Sequence, residues 1–200
     1  MSKTNLFTCL CAIALFFSGC AKKEDATPIP SLVGKWTFKT AKIPIDDANG
    51  KTTMVDVTAK AAATIDFTTT GYTVSQTVPY VYTKGSTSTT LQFANAKYKI
   101  TTTTEIATEI GSDPSLTAAE KKGLATMIAG YEKEGIKYIV AFDDFQITAK
   151  NGNVSGSLGW DWFSIKNLTS TSVTLELFGG EIFSGDPLDP STRLQMVLGK

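Results

Sequence analysis

From residue 31 onward, β-branched and aromatic side chains recur at every second position, a period that dictates strands with one buried face. Within 63–68 the apolar positions are Ala63, Ile65 and Phe67, and Thr64, Asp66 and Thr68 face the other way. Tyr72, Val74, Val78, Tyr80 and Tyr82 keep the same parity over eleven residues. Leu91 and Phe93, then Tyr98 and Ile100, continue it. Near the C-terminus, Val173, Leu175 and Leu177 alternate with Thr and Glu, and Leu194, Met196 and Leu198 do so with Gln195 and Val197. The expectation is an all-β domain of about nine antiparallel strands.

Turn chemistry separates the strands. Asp46-Asp47-Ala48-Asn49-Gly50 links the first two. Asn151-Gly152 suits a type I′ turn, whose two central residues need positive φ, and it predicts a hairpin between 138–149 and 154–165. One segment departs from the β pattern. Thr117-Ala118-Ala119-Glu120 is a capping box, and Leu124, Met127, Ile128 and Tyr131 fall on one helical face. Gly135 supplies a stop, so one inserted helix is predicted near 117–134, padding the β structure or plugging one end. An all-β chain of this kind closes as a barrel or stacks as a sandwich, and periodicity does not choose between them.

Composition excludes much chemistry. The chain has no His, and only three Cys. Without His there is no Ser-His-Asp or Cys-His catalysis, no His-ligated zinc and no easy general base near neutral pH. The 19 basic and 19 acidic residues give a formal net charge of zero with no basic stripe, which argues against nucleic-acid binding. No enzyme activity, cofactor or metal site is expected.

The first 19 residues carry an export signal: Lys3, an apolar run over 6–17, then Phe17-Ser18-Gly19-Cys20. The run is too short for a comfortable transmembrane helix, which needs about 20 residues. The segment resembles a bacterial lipoprotein signal with its lipobox. The resemblance implies cleavage before Cys20 and lipid, palmitate included, on its thiol and new amine. Cys9 and Cys11 leave with the signal, so no thiol remains for a disulfide. Two or more acyl chains give stable anchoring where one gives only marginal binding. The following Ala21-Lys22-Lys23-Glu24-Asp25 resembles the charged signal that sends Bacteroidetes lipoproteins to the outer leaflet of the outer membrane. Residues 20–30 thus read as lipidated Cys and tether, and 31–200 as one domain.

Leu32-Val33-Gly34-Lys35-Trp36 opens that domain, and its Gly-x-Trp resembles the entry motif of lipocalins and of lipocalin-like domains on Bacteroidetes lipoproteins. Phe145-Gln146-Ile147, Asn151-Gly152, Gly159-Trp160-Asp161-Trp162 and Asn167-Leu168 follow in the order of the second half of such domains. The resemblance implies a lipocalin-like antiparallel β-barrel, although the helix lies between strands instead of after them. Gly34 would let the chain turn in without a Cβ, and Trp36 would close one end of the barrel.

The candidate ligand-binding residues are Tyr80, Tyr82, Trp160 and Trp162, aromatic pairs that line a pocket if their strand faces are interior and are core if they simply pack. Asp143-Asp144 reads as a polar anchor in a pocket or a calcium ligand, or else as a bulge or a strand end in solvent. Glu181, Asp186 and Asp189 share an acidic loop that lacks EF-hand spacing. The expected partners are the membrane, through lipid on Cys20, with a small apolar or sugar ligand or an envelope protein. The rival reading is a protein-interaction module with a filled core.

Overall fold

The computed structural model describes residues 29–46, 52–85, 87–143, 145–150, 155–156, 162–178, 180–181, 186–187 and 189–200. The signal, Cys20, the Asn151-Gly152 turn and Trp160 therefore lie outside the described residues. In chain order come β1 (Gly34–Asp46), β2 (Thr52–Thr58), β3 (Thr64–Phe67), β4 (Tyr72–Val74), β5 (Tyr80–Lys84), β6 (Thr87–Phe93) and β7 (Tyr98–Thr102). Two helices follow, α1 (Thr103–Ser112) and α2 (Ala118–Lys133). Then come β8 (Tyr138–Phe142), β9 (Phe145–Lys150), β10 (Ser155–Gly156), β11 (Trp162–Lys166), β12 (Ser172–Leu177), β13 (Gly180–Glu181), β14 (Asp186–Pro187) and β15 (Gln195–Gly199).

Many short strands are halves of longer staves. β2 and β3 pair in succession with the long β1, from Asp46 opposite Thr52 down to Gly34 opposite Phe67. β4 pairs with β3 and β5 with β6, and the Tyr72–Ala96 bridge and the Phe93 N–H to Thr77 bond tie this stave to the next. β6 and β7 continue one another against β9 and β8. β10 and β11 form the next stave, since both pair with the β8–β9 stave. β12 and β15 complete the set, and β15 bonds back to β1. Eight staves thus close an antiparallel barrel in which each stave neighbours the next in sequence. This is the lipocalin-like all-β barrel expected above, with eight staves for about nine strands. The arms on either side of Asn151-Gly152 do pair, Thr148 opposite Ser155.

The core sits inside the barrel because the alternating positions point there. Ala63, Ile65, Phe67, Tyr72, Tyr80, Leu91, Phe93, Val173, Leu175, Leu194, Met196 and Leu198 are all buried in one cluster with Trp36, Phe38 and Phe163. Alternation breaks where the barrel must bend. Phe142 and Phe145 both enter the core although three positions apart, so the chain between them adds an irregularity that swaps faces. Asp143 lies in that irregularity and is exposed; its N–H bonds to Lys97 O at 3.1 Å, and its carbonyl accepts the Tyr72 hydroxyl at 2.7 Å. Asp143 is thus an exposed strand end, in the turn just after β8; Asp144 lies outside the described residues.

The inserted helix is α2, and Thr117 and Glu120 form its capping box as expected. It pads the outside of the barrel. Met127, Ile128 and Tyr131 pack with Ile106 of α1, Ile139 of β8, and Phe178 in a second apolar cluster outside the barrel. The expectation of a single helix requires correction, because α1 precedes it. The Thr101-Thr102-Thr103-Thr104 run has strong β propensity and masks the helix. Yet Thr102 and Glu105 make a second capping box, with Glu105 N–H bonding Thr102 Oγ1 at 3.1 Å and Thr102 N–H bonding Glu105 Oε2 at 2.8 Å. Burial of Ile106 against α2 decides the matter over propensity.

Candidate functional site: the barrel core and a charge cluster outside it

Among the described residues, the inward positions of the barrel are packed with interlocking rings. Phe93 meets Phe145 at 4.9 Å and Phe38 at 5.2 Å between centroids. Phe145 meets Phe163 at 5.1 Å, and Tyr72 meets Phe142 edge-on at 5.3 Å. Such tilted and edge-to-face contacts are the favoured aromatic geometries, and they fix the rings in place. Tyr80 is fully buried among them, edge-on to Phe38 at 5.7 Å, and its hydroxyl donates to Thr40 O at 3.1 Å. Burial pushes its phenol above the usual value, so it remains a protonated donor. Tyr82 points the same way one pair further along and is half-buried against the core.

Trp36 is buried at the end of the barrel where the domain begins. Its indole Nε1 donates to Leu32 O at 2.7 Å, and Leu32 is itself fully buried in the core. The segment before β1 therefore folds across this end. Gly34 has φ +117°, a conformation that side chains strongly disfavour. Space is not the constraint there, because the nearest atom to an added Cβ would be Lys200 Nζ at 3.8 Å.

Trp162 stands apart from the two tyrosines. Phe163 and Ile165 on β11 point into the barrel, so Trp162 points out, and its ring lies 6.1 Å from that of Phe178 in the outer cluster. The structure brings Tyr80 and Tyr82 together on the inner face and puts Trp162 beneath the helices. Trp162 therefore shares no face with Tyr80 and Tyr82.

On the same outer face lies a group of charges that sequence reasoning did not single out. Arg193 has a fully buried side chain and donates through Nη1 and Nη2 to the two Glu134 carboxylate oxygens at 2.6 and 2.7 Å. Nη1 also reaches Glu176 Oε1 at 2.9 Å. The guanidinium carbon lies 4.5 Å from the centroid of the Tyr131 ring. Glu176 is buried as well, and it receives Lys166 Nζ at 2.6 Å and Gln195 Nε2 at 2.7 Å. Desolvation works to strip Arg193 of its proton, but the hydrogen bonds to Glu134 and Glu176 outweigh it and raise its pKa above the usual value. Glu134 is held below the ordinary carboxylate range, first by its hydrogen bond to Arg193.

The cluster balances two cations against two carboxylates. It joins β11, β12 and β15 to the C-terminal end of α2, residues far apart in sequence. Both carboxylates accept from the cations, so the cluster acts as a clamp holding the helix layer to the barrel. No spacing rule relates Glu134, Lys166, Glu176 and Arg193, and no sequence signal could have grouped them.

Among the described residues, no group of three or more Cys, Asp or Glu side chains is arranged to hold a metal ion. Asp189 instead caps a short 3₁₀ turn by accepting Ser191 N–H at 2.8 Å. A shallow open recess of about 280 Å³ lies beside α1, lined by Thr102, Thr104, Glu105, Thr108 and Glu109. Its most polar group, Glu105, is already engaged in the capping box and with Thr101 Oγ1 at 2.9 Å. No helix among the described residues is long and apolar enough to cross a membrane. The chain matches no protein-family model, no curated protein and no solved structure.

Proposed function

We propose that this chain is a non-enzymatic lipoprotein of the outer membrane, anchored through lipid on Cys20, whose barrel is an interaction module for an envelope partner. One observation carries the choice of module over ligand carrier: the described inward positions are packed by aromatic rings at 4.9–5.7 Å from one another. A carrier for a drug-sized ligand needs an interior of about 300 Å³ or more. Tyr80 and Tyr82 in this reading are core and rim, and Trp162 supports the helix layer. The lipobox-like Phe17-Ser18-Gly19-Cys20 supports the anchor, and Lys23-Glu24-Asp25 supports an outer-leaflet address.

The test uses a soluble form beginning at Ala21. Apolar fluorescent probes of several sizes and simple oligosaccharides are titrated against it. The module reading expects no saturable binding. Saturable binding that Tyr82→Ala abolishes would replace it with a ligand carrier.

A further inference from the structure

The end of the barrel at which the tether enters carries a distinct surface. Gly34 pairs with Phe67 there, and Lys200 N–H bonds Thr171 O at 2.9 Å, so the 68–71 and 167–171 turns share this end. The Asp46–Thr52 pair of β1 and β2 and the Lys84–Thr87 pair of β5 and β6 lie at the other. Among the described residues three large apolar side chains are exposed, and two of them, Ile29 (52% exposed) and Val33 (45%), lie at the tether end. Val33 adjoins Gly34, and Lys200 Nζ, held over the Trp36 ring, would lie 3.8 Å from a Cβ at Gly34, so a cation lies next to Val33 in the chain's entry to β1. Lys35 is exposed beside them.

We infer that the tether end of the barrel docks on the lipid surface through Ile29 and Val33, with Lys200 and Lys35 at the headgroups. The inference rests on the anchor proposed at Cys20. Eight residues, and so nine Cα-to-Cα steps, separate Cys20 from Ile29. Fully extended they reach about 30 Å at roughly 3.3 Å per residue. The 13 residues of β1 span about 43 Å by the same measure. Strands tilt by about 35–45° in a barrel, so its height is roughly 30–35 Å, close to the tether's reach, and the end bearing Ile29 is held near the membrane at high effective concentration. Two half-exposed apolar side chains would bind a bilayer only weakly in free solution, but under that constraint weak burial suffices. Long lysines suit the position, since their stems lie along apolar surface while the ammonium stays with polar headgroups. Docking by this end turns the opposite end, where Asp46 pairs with Thr52 and Lys84 with Thr87, toward a partner.

The test supplies the lipid chemically, so it does not depend on whether cells modify Cys20. The chain beginning at Cys20 is coupled through its single thiol to a maleimide phospholipid in vesicles of phosphatidylcholine and phosphatidylglycerol. A genetically encoded fluorescent amino acid is placed at Ser31 or at Lys84, and the vesicles carry a lipid spin-labelled high on the acyl chain. The expected result is strong quenching at position 31 and none at 84, with Ile29→Ser/Val33→Ser removing most of the quenching at 31. Circular dichroism confirms that the double variant folds, as exposed positions lead one to expect. Equal quenching at both positions, or quenching at 31 unchanged in the double variant, overturns the docking. Loss of labelling at Cys20 in cells would instead overturn the anchor alone.

Discussion

Lys200 holds its ammonium 4.6 Å from the centroid of the Trp36 ring, so a residue just after β15 covers the indole that opens β1. The contact lies over the seam where β15 bonds to β1 and closes the barrel. Trp36 carries most of the energy at this seam, because it is buried and hydrogen-bonded to Leu32. Trp36→Ala is expected to lower stability by about 3–5 kcal/mol. Lys200→Ala should cost about 0.5–1 kcal/mol, the range for a cation–π pair at an exposed site. Urea denaturation midpoints of the soluble domain check both; similar losses for the two variants would contradict this division.

Arg193→Ala removes the hub of the outer cluster and leaves Glu176 buried with Lys166 and Gln195 alone. Breaking a buried pair in this way costs about 3–5 kcal/mol. The loss should be local as well as global. Hydrogen exchange is expected to quicken in α2 far more than in β3 or β4, which hold no residue of the cluster and pair with none. Uniform loss of protection would mean that Arg193 does not clamp the helix layer in particular.

The cluster also predicts a pH dependence. Arg193 hydrogen-bonds Glu134 and lowers its pKa in the folded state. The folded value therefore lies below the unfolded one of about 4.3. The resulting stability is fully present above that unfolded value and is lost as pH falls through the folded value. Glu134→Gln should thus be less stable than the parent at pH 7, and the gap should shrink as pH drops below about 4. Denaturation midpoints of both proteins across that range give the answer, and a gap independent of pH would count against the ion pair.

The helix caps offer a simpler test. Thr102→Ala and Thr117→Ala each remove a hydroxyl that accepts the Glu105 or Glu120 N–H, at 3.1 and 3.3 Å. Each should cost about 1 kcal/mol. Helical circular dichroism and the thermal midpoint read the effect. No change at Thr102 would show that tertiary burial of Ile106 alone sustains α1.

The anchor makes its own prediction in cells. Cys20→Ser should abolish labelling by a palmitate analogue and release the chain from membranes, since two acyl chains are what give stable attachment. Label retained by the variant would remove the anchor. Replacing Lys23, Glu24 and Asp25 with Ala should leave labelling intact and reduce protease shaving at the cell surface. Equal shaving would reduce those charges to a solvated linker.

What the chain's own order of residues determined is the strand content, the inward set and the capped helix α2. These follow from local rules: period-two alternation marks Ile65, Phe67, Tyr80 and Leu198 as inward, and Thr117 with Glu120 marks a helix start. A local rule also underlies α1, through Thr102 and Glu105, but the surrounding threonines speak for a strand, and contact with α2 breaks the tie. Tertiary structure alone decided three things. It chose a barrel over a sandwich, because closure depends on β15 meeting β1 across the whole length of the domain. It sent Trp162 outward, because the parity of β11 is set by Phe163 and Ile165 entering the core. It gathered Arg193, Glu134, Glu176 and Lys166, because a long-range charge cluster depends on which elements pack together, and no short-range spacing encodes that.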